Sequence, residues 1–366
     1  YFGFKMSFIK NLLFFFFFVS VLLTNFSFAS YKRFYKDSKN INQGHGVNEY
    51  QLKKGYNAPF NLLPNNNHQF IFKQSFLWWR AQEQNLDYLV FVSAQPANKT
   101  SFIVEPNFQH KAGFKIALGS NLFYDNWEFL SEYTRLKFRD SQSKGPTNPG
   151  SLYPTWKTEN TVIAVNEGKS RWKLDFNTFD LELARSYFSG KKITNRTSLG
   201  LKTGWINQRY YLYYGINANS VYANAFAASK SFLAGPRAGF SSMYDLFSGF
   251  KIKLVSAFSM LYQDFYKIKS FDESDANASN FSSYTKDETS QITPAFELGL
   301  GALWGEYILN GRIYFDLEIR YDFQRFFNQN QMRNLCALSK TSNATSSTNI
   351  GDLDFRGLTA LISFNF

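Results

Sequence analysis

The sequence predicts an all-β chain that crosses a membrane as an antiparallel up-and-down β-barrel. Three observations carry this expectation. Long segments alternate apolar and polar residues with a period of two, the period of a strand. Aromatic residues make up 19% of the chain, with 42 Phe and 22 Tyr, while the mean hydropathy is only −0.32. A wall that faces lipid on one side and water on the other produces that combination, with aromatic girdles at the two interfaces. Beyond the first thirty residues there is no apolar run of about 18, so no helical span is predicted.

The N-terminal segment reads as an export signal. Residue 1 is Tyr, and Met6 reads as the initiator, with residues 1–5 an upstream extension. Lys10 precedes an apolar run from Leu12 to Leu23 that contains Phe14 to Phe18, and Ser27, Phe28 and Ala29 supply a small-residue exit. A basic start, an apolar middle and a cleavage site after Ala29 form a signal peptide over residues 1–29. Residues 30–69 are rich in Lys, Asn and Gln and read as a polar periplasmic lead-in without a core of its own. The barrel is expected over residues 70–366.

Within it, Phe76, Trp78 and Arg80 alternate with Leu77, Trp79 and Ala81, and Leu86 to Ser93 forms a second run. Phe114, Ile116 and Leu118 alternate with Lys115, Ala117 and Gly119. Trp127 to Phe138 follows a Tyr124-Asp125-Asn126 turn. Trp172, Leu174 and Phe176 alternate with Lys173, Asp175 and Asn177; the apolar phase then slips by one, to Phe179, Leu181 and Leu183, which predicts a bulge or a tight turn. Strands are also expected at Leu199–Trp205, Tyr210–Tyr214, Arg237–Phe247, Phe250–Tyr262, Phe296–Trp304 and Ile313–Tyr321. Short turns (Ser248-Gly249, Gly305 to Asn310) alternate with long polar stretches at 139–170, 217–236, 264–290 and 326–353, the asymmetry of a barrel with short periplasmic turns and long external loops. The count is an even number between 12 and 16. The Ala-rich residues 221–235 read as a surface loop with room for a short helix.

The last residues carry their own pattern. Leu358, Ala360, Ile362, Phe364 and Phe366 share one face, and Thr359, Ser363 and Asn365 the other, with Leu361 among them. This is the expected barrel-closing strand, ending on an aromatic residue of the kind read by bacterial barrel-assembly machinery.

The formal net charge is +12. The basic residues are scattered at strand spacing and no nucleic-acid motif appears, so the excess is expected in a lumen or against acidic lipid headgroups. By phase, the candidate lumen-lining residues are Lys115, Lys173, Asp175, Lys202, Lys251, Lys253, Arg312, Asp316, Glu318 and Arg320. Asp316 and Glu318 share a strand face with flanking Arg312 and Arg320, which makes them a salt-bridged wall rather than an acid–base pair. The histidines are His45, His68 and His110; none lies in a pattern that suits a hydrolytic triad. No zinc spacing, phosphate loop or calcium loop occurs, so neither metal nor cofactor is expected. Cys336 is the single cysteine, which rules out an intrachain disulfide framework.

Several stretches resemble the Legionella-type major outer membrane proteins, a porin family with members in chlamydia-related bacteria. Ser75 to Tyr88 is similar to their first hairpin. Gly113 to Gly119, followed by Tyr124 to Trp127, is similar to a glycine-flanked hairpin. Phe179 to Arg185, Gly204 to Gln208 and Gly235 to Gly239 match in kind, and Gly55 to Pro59 resembles a lead-in segment. The resemblance implies a bacterial outer-membrane location, lipid as the surrounding partner and passive passage of small hydrophilic solutes or ions. A homo-oligomer is compatible with it, and no catalytic residue is implied. The basic excess adds an expected weak anion preference. The alternative from the same sequence is a surface adhesin or structural barrel with an occluded lumen, suggested by the long polar loops.

Overall fold

The computed structural model describes residues 70–93, 100–122, 127–145, 150–156, 164–190, 192–215, 222–274, 281–309, 313–336, 345–348 and 350–366. The signal peptide, the lead-in, His45, His68, Gly55 to Pro59 and Arg312 lie outside them.

All described elements are strands: β1 (Phe70–Glu83), β2 (Leu89–Ser93), β3 (Ser101–Val104), β4 (His110–Asn121), β5 (Trp127–Lys144), β6 (Gly150–Pro154), β7 (Glu167–Phe188), β8 (Ile193–Gly215), β9 (Tyr222–Phe247), β10 (Phe250–Ser274), β11 (Phe281–Ile308), β12 (Ile313–Asn330), β13 (Arg333–Cys336), β14 (Thr345–Thr348) and β15 (Gly351–Asn365). Ten of them close into one antiparallel ring in the order β1-β15-β12-β11-β10-β9-β8-β7-β5-β4. The strand number is even, as expected, but ten rather than 12 to 16. The excess came from splitting. Phe179–Leu183 belongs to β7 and Tyr210–Tyr214 to β8, while the Leu86–Ser93 run contributes β2, which lies outside the ring in a small sheet ordered β3-β2-β6. β13 pairs with β14 in a separate hairpin, and Cys336 ends that strand.

β15 closes the ring. Ile362 pairs with Gln74 and Leu358 with Trp78 on one side, and Ile362 with Leu317 on the other. The Phe366 N–H donates to the Phe70 carbonyl at 2.9 Å, which ties the first barrel residue to the last. Leu358, Ala360, Ile362, Phe364 and Phe366 face outward, as their phase predicts.

The connections at this end of the ring are short. The tightest is Ser248-Gly249 between β9 and β10, where both residues have positive φ (39° and 82°). Two consecutive left-handed residues suit a two-residue turn that matches strand twist. A Cβ at Gly249 also meets the Gly305 carbonyl oxygen at 2.6 Å. Gly249→Ala is therefore expected to lower stability by roughly 1–3 kcal/mol, from strain at positive φ, measured as a shift in the urea unfolding midpoint of the folded protein in lipid vesicles.

Many strands are much longer than the 9–11 residues that a membrane requires. β11 has 28 residues and β9 has 26, roughly 90 Å of extended chain at about 3.3 Å per residue. The expected long loops at 217–236 and 264–290 are largely strand, 139–170 contains the end of β5, all of β6 and the start of β7, and residues 222–235 are part of β9, not a helix or loop. Ala is compatible with a strand when its neighbours need a small inward side chain: Ala223, Ala225 and Ala227 point inward and are buried.

β7 shows how one strand serves two surroundings. Toward the short-turn end, Phe179 and Leu183 are exposed on the outside while Asp180 is buried inside. Toward the opposite end the polarity reverses: Trp172, Leu174 and Phe176 are completely buried inside, and Lys173 and Asp175 lie on the outer face. The pairing of β7 with β5 and β8 runs without interruption through Thr178. The apparent phase slip is neither bulge nor turn; it marks where the strand leaves lipid for water. The register shifts in this sheet lie elsewhere: in β10 between Phe250 and Lys251 and around Asp264 to Ile268, and in β12 between Phe326 and Asn330.

Candidate functional site

The lumen is the place where inward side chains from all ten strands meet, and it has two chemically distinct storeys.

The storey toward the short-turn end is ionic. Lys202 on β8 is 2.9 Å from Asp180 on β7 and 3.1 Å from Glu297 on β11, with its side chain 2% exposed. Arg237 on β9 pairs with Glu297 at 2.8 Å and with Glu182. Arg196 joins Glu182 at 3.1 Å and Glu128 at 2.9 Å. Lys115 meets Glu132 at 3.2 Å. Glu318 on β12 is shared by Lys253 and Arg320, both at 2.7 Å, and Arg320 also holds Asp322 at 2.5 Å. Burial removes these charges from water, so each needs a partner of opposite charge. A cavity of ≈ 200 Å³ remains among them, lined by Lys115, Lys251, Lys253, Asp316 and Arg320 among others.

The second storey is apolar and aromatic. Phe176 on β7 and Phe326 on β12 stand 5.6 Å apart by ring centroid, at 68°, although their strands are diametrically opposite in the ring. Phe355 on β15 lies 4.5 Å from Phe176, 5.9 Å from Phe138 and 6.2 Å from Trp79. The Trp79 indole N–H donates to the Thr359 hydroxyl at 3.0 Å, and Thr359 donates to Asp322 at 2.5 Å, which joins the two storeys. Above the rings, Gln208 donates to Glu83 at 2.8 Å and accepts from the Trp172 indole at 3.0 Å.

The external connections complete this filling. Leu86, Tyr88 and Leu89 are buried in the same cluster with Phe108, Leu152 and Trp156. Tyr210 donates to the Leu86 carbonyl at 2.7 Å, Tyr214 to the Tyr88 carbonyl at 3.0 Å and Trp156 to the Asp87 carbonyl at 2.8 Å. These bonds hold the 84–89 segment inside the barrel mouth.

Of the residues expected in the lumen, Lys115, Lys202, Lys251, Lys253, Asp316, Glu318 and Arg320 face inward. Lys173 and Asp175 do not: their partners in alternation, Trp172, Leu174 and Phe176, occupy the interior at that level. Arg312 is not among the described residues. Of the salt-bridged wall expected at Asp316 and Glu318, Glu318 is bridged by Lys253 and Arg320, whereas Asp316 lines the cavity beside them. Glu128, Glu132, Asp180, Glu182, Arg196, Arg237 and Glu297 were missed. Their signal was present: Glu297 sits between Phe296 and Leu298, and Arg237 between Gly235 and Gly239, each in the inward phase of its strand. His110 is exposed on the wall and stacks on Trp78 at 6.3 Å. Among the described residues no cluster of three or more His, Cys, Asp or Glu is placed to hold a metal ion.

No curated protein sequence matches the chain. Among solved structures, it is similar to the outer membrane protease OmpT from Escherichia coli, at 11% identity over 83% of this chain and 97% of that chain, with a TM-score of 0.35. It is also similar to a FadL homologue of Pseudomonas aeruginosa (6% identity, 82% and 90% coverage, TM-score 0.25). A third is the Ralstonia pickettii toluene transporter TbuX (10% identity, 81% and 88% coverage, TM-score 0.23). These likenesses are too distant to carry an activity across. Residues 62–365 match the family described as the Legionella pneumophila major outer membrane protein precursor, and the chain belongs to that family of bacterial outer-membrane proteins.

Proposed function

We propose that this protein is an occluded outer-membrane barrel, working through its wall and its external surface rather than as an open diffusion pore. The observation that carries the reading is the contact between Phe176 and Phe326 across the full width of the ring. Water-filled channels are lined by polar groups, whereas Trp79, Trp172, Phe138, Phe176, Phe326 and Phe355 have almost no exposure. No enzymatic role is assigned; Glu128, Glu132, Asp180, Glu182, Glu297 and Glu318 of the ionic storey are engaged by Lys and Arg.

The porin reading stands second. It is favoured by the charged storey, whose cavity lies among Lys115, Lys251, Lys253 and Arg320, and would require the aromatic storey and the 84–89 segment to move aside. Solutes would then meet a mixed ring of cations and anions, so weak anion preference would follow only from the excess of Lys and Arg.

The separating measurement is conductance of the refolded protein in a planar bilayer under a KCl gradient. The occluded barrel gives no stable steps while remaining folded by its resistance to SDS at room temperature. Stable steps from the unaltered protein would establish the pore, and the sign of the reversal potential its selectivity.

A further inference from the structure

On the outer wall, β5, β7 and β8 carry a row of like charges. Arg139 is the direct cross-strand partner of Lys173, and Lys173 of Arg209. All three lie on the outward phase, with Arg139 and Arg209 exposed. Directly opposed side chains sit about 5 Å apart, and like charges there are mutually destabilising. Lys137 and Arg135 continue the positive surface along β5, and the single carboxylate in the patch is Asp175, opposite Lys137. The wall at β12 and β15 is built differently, because Arg325 is held by Asp354 at 2.6 Å and by Asp352 at 3.8 Å.

The height of this row is informative. Toward the short-turn end the same strands expose Phe129, Phe179, Leu183, Leu199, Leu201 and Trp205, the apolar band. The cation row stands immediately beyond that band, where headgroups begin. Beyond it again is a groove of ≈ 540 Å³ lined by Arg171, Tyr211, Tyr213, Asn224 and Phe226 among others. Tyr211 and Phe226 are 4.9 Å apart by ring centroid, and Lys173 lies over the Tyr211 ring at 5.2 Å.

We propose that this face binds a phosphorylated glycolipid of the outer leaflet. Its acyl chains lie against the apolar band, its phosphates accept charge-assisted hydrogen bonds from Arg139, Lys173 and Arg209, and its saccharide lies in the groove on the faces of Tyr211 and Phe226. An anion in the row removes the mutual repulsion of three cations, which gives the like-charge row a physical purpose. The proposal concerns the outer wall and holds whether the lumen conducts or not.

The test titrates the refolded full chain, in neutral detergent micelles, with three probes: a bisphosphorylated diglucosamine lipid, the same lipid after removal of both phosphates, and inorganic phosphate. The bisphosphorylated lipid is expected to bind and to raise the unfolding temperature, while the other two leave it unchanged at equal concentration. The triple variant Arg139→Gln, Lys173→Gln, Arg209→Gln is expected to bind at least about tenfold more weakly, and Tyr211→Ala several-fold more weakly. Arg325→Gln, on the ion-paired face, retains full affinity. SDS resistance reports folding of each variant; should the triple variant not fold, the Arg139→Gln, Arg209→Gln pair supplies the same comparison. Unchanged affinity in a folded variant, or equal binding of the dephosphorylated lipid, overturns the proposal. An equal response to inorganic phosphate overturns it too, leaving a free-anion site in place of a lipid site.

Discussion

Replacing Phe176, Phe326 and Phe355 together by Ala is expected to turn a silent barrel into one with measurable, flickering conductance. Each ring touches at least two others across the lumen: Phe355 contacts Phe138, Phe176 and Phe326, and Phe176 contacts Phe326. Taken singly, each substitution leaves a cavity that rigid barrel walls cannot collapse to fill. The cost of such a Phe→Ala change is about 3–5 kcal/mol. The singles are therefore expected to shift the urea midpoint strongly while staying silent in a planar bilayer, because the remaining rings and the 84–89 segment still obstruct the lumen. The triple variant is expected to admit ions. A folded triple variant with no conductance would place the barrier in the ionic storey or in the external connections.

The second large effect is expected at Lys202. Its ammonium is buried between Asp180 and Glu297, and Glu297 keeps only Arg237 once the lysine is gone. Lys202→Met removes one partner of a buried cluster and strands Asp180, a change that costs about 3–5 kcal/mol. Arg325→Gln, whose side chain is 32% exposed beside Asp354, is expected to cost less than about 1 kcal/mol. Urea unfolding of both variants in lipid vesicles makes the comparison, with an unchanged denaturant slope required for each. Similar midpoint losses in the two would mean that the ionic storey is more hydrated than its packing indicates.

The legible part of the fold was the part in lipid. β10 alternates in exposure from Phe250 to Tyr262, with Phe250, Ile252, Leu254, Phe258, Met260 and Tyr262 exposed, because one side meets hydrocarbon and the other the lumen, so the outward phase is kept apolar at all but Ser256. Asp316, Glu318 and Arg320 on β12 face inward, and Leu358, Ala360, Ile362 and Phe364 of the closing strand face outward, for the same reason. Beyond the bilayer that logic fails. The outer face there meets water and the inner face meets aromatic rings, so Lys173 and Asp175 were assigned inside when Trp172, Leu174 and Phe176 belong there. Once the phase was read as slipping, one strand became two and the count rose. The Ala-rich start of β9 was obscured similarly: small inward residues leave room for bulky neighbours, and nothing in a single segment shows who those neighbours are. Contacts between opposite walls, such as that of Phe176 with Phe326, depend on residues 150 positions apart in sequence and have no local signature at all.

The polarity reversal along β7 also guards the alignment of the strand. A slip of one residue turns every side chain to the opposite face. In an ordinary membrane strand, the cost of that error falls within the bilayer alone. Here one slip would carry Asp180 into hydrocarbon and, farther along the same strand, push Lys173 and Asp175 into a nest of aromatic rings while Trp172 and Phe176 swung out into water. The two errors occur together and neither can relieve the other. The strand is thus checked against two solvents at once, and assembly of the barrel has a single alignment of β7 that satisfies both.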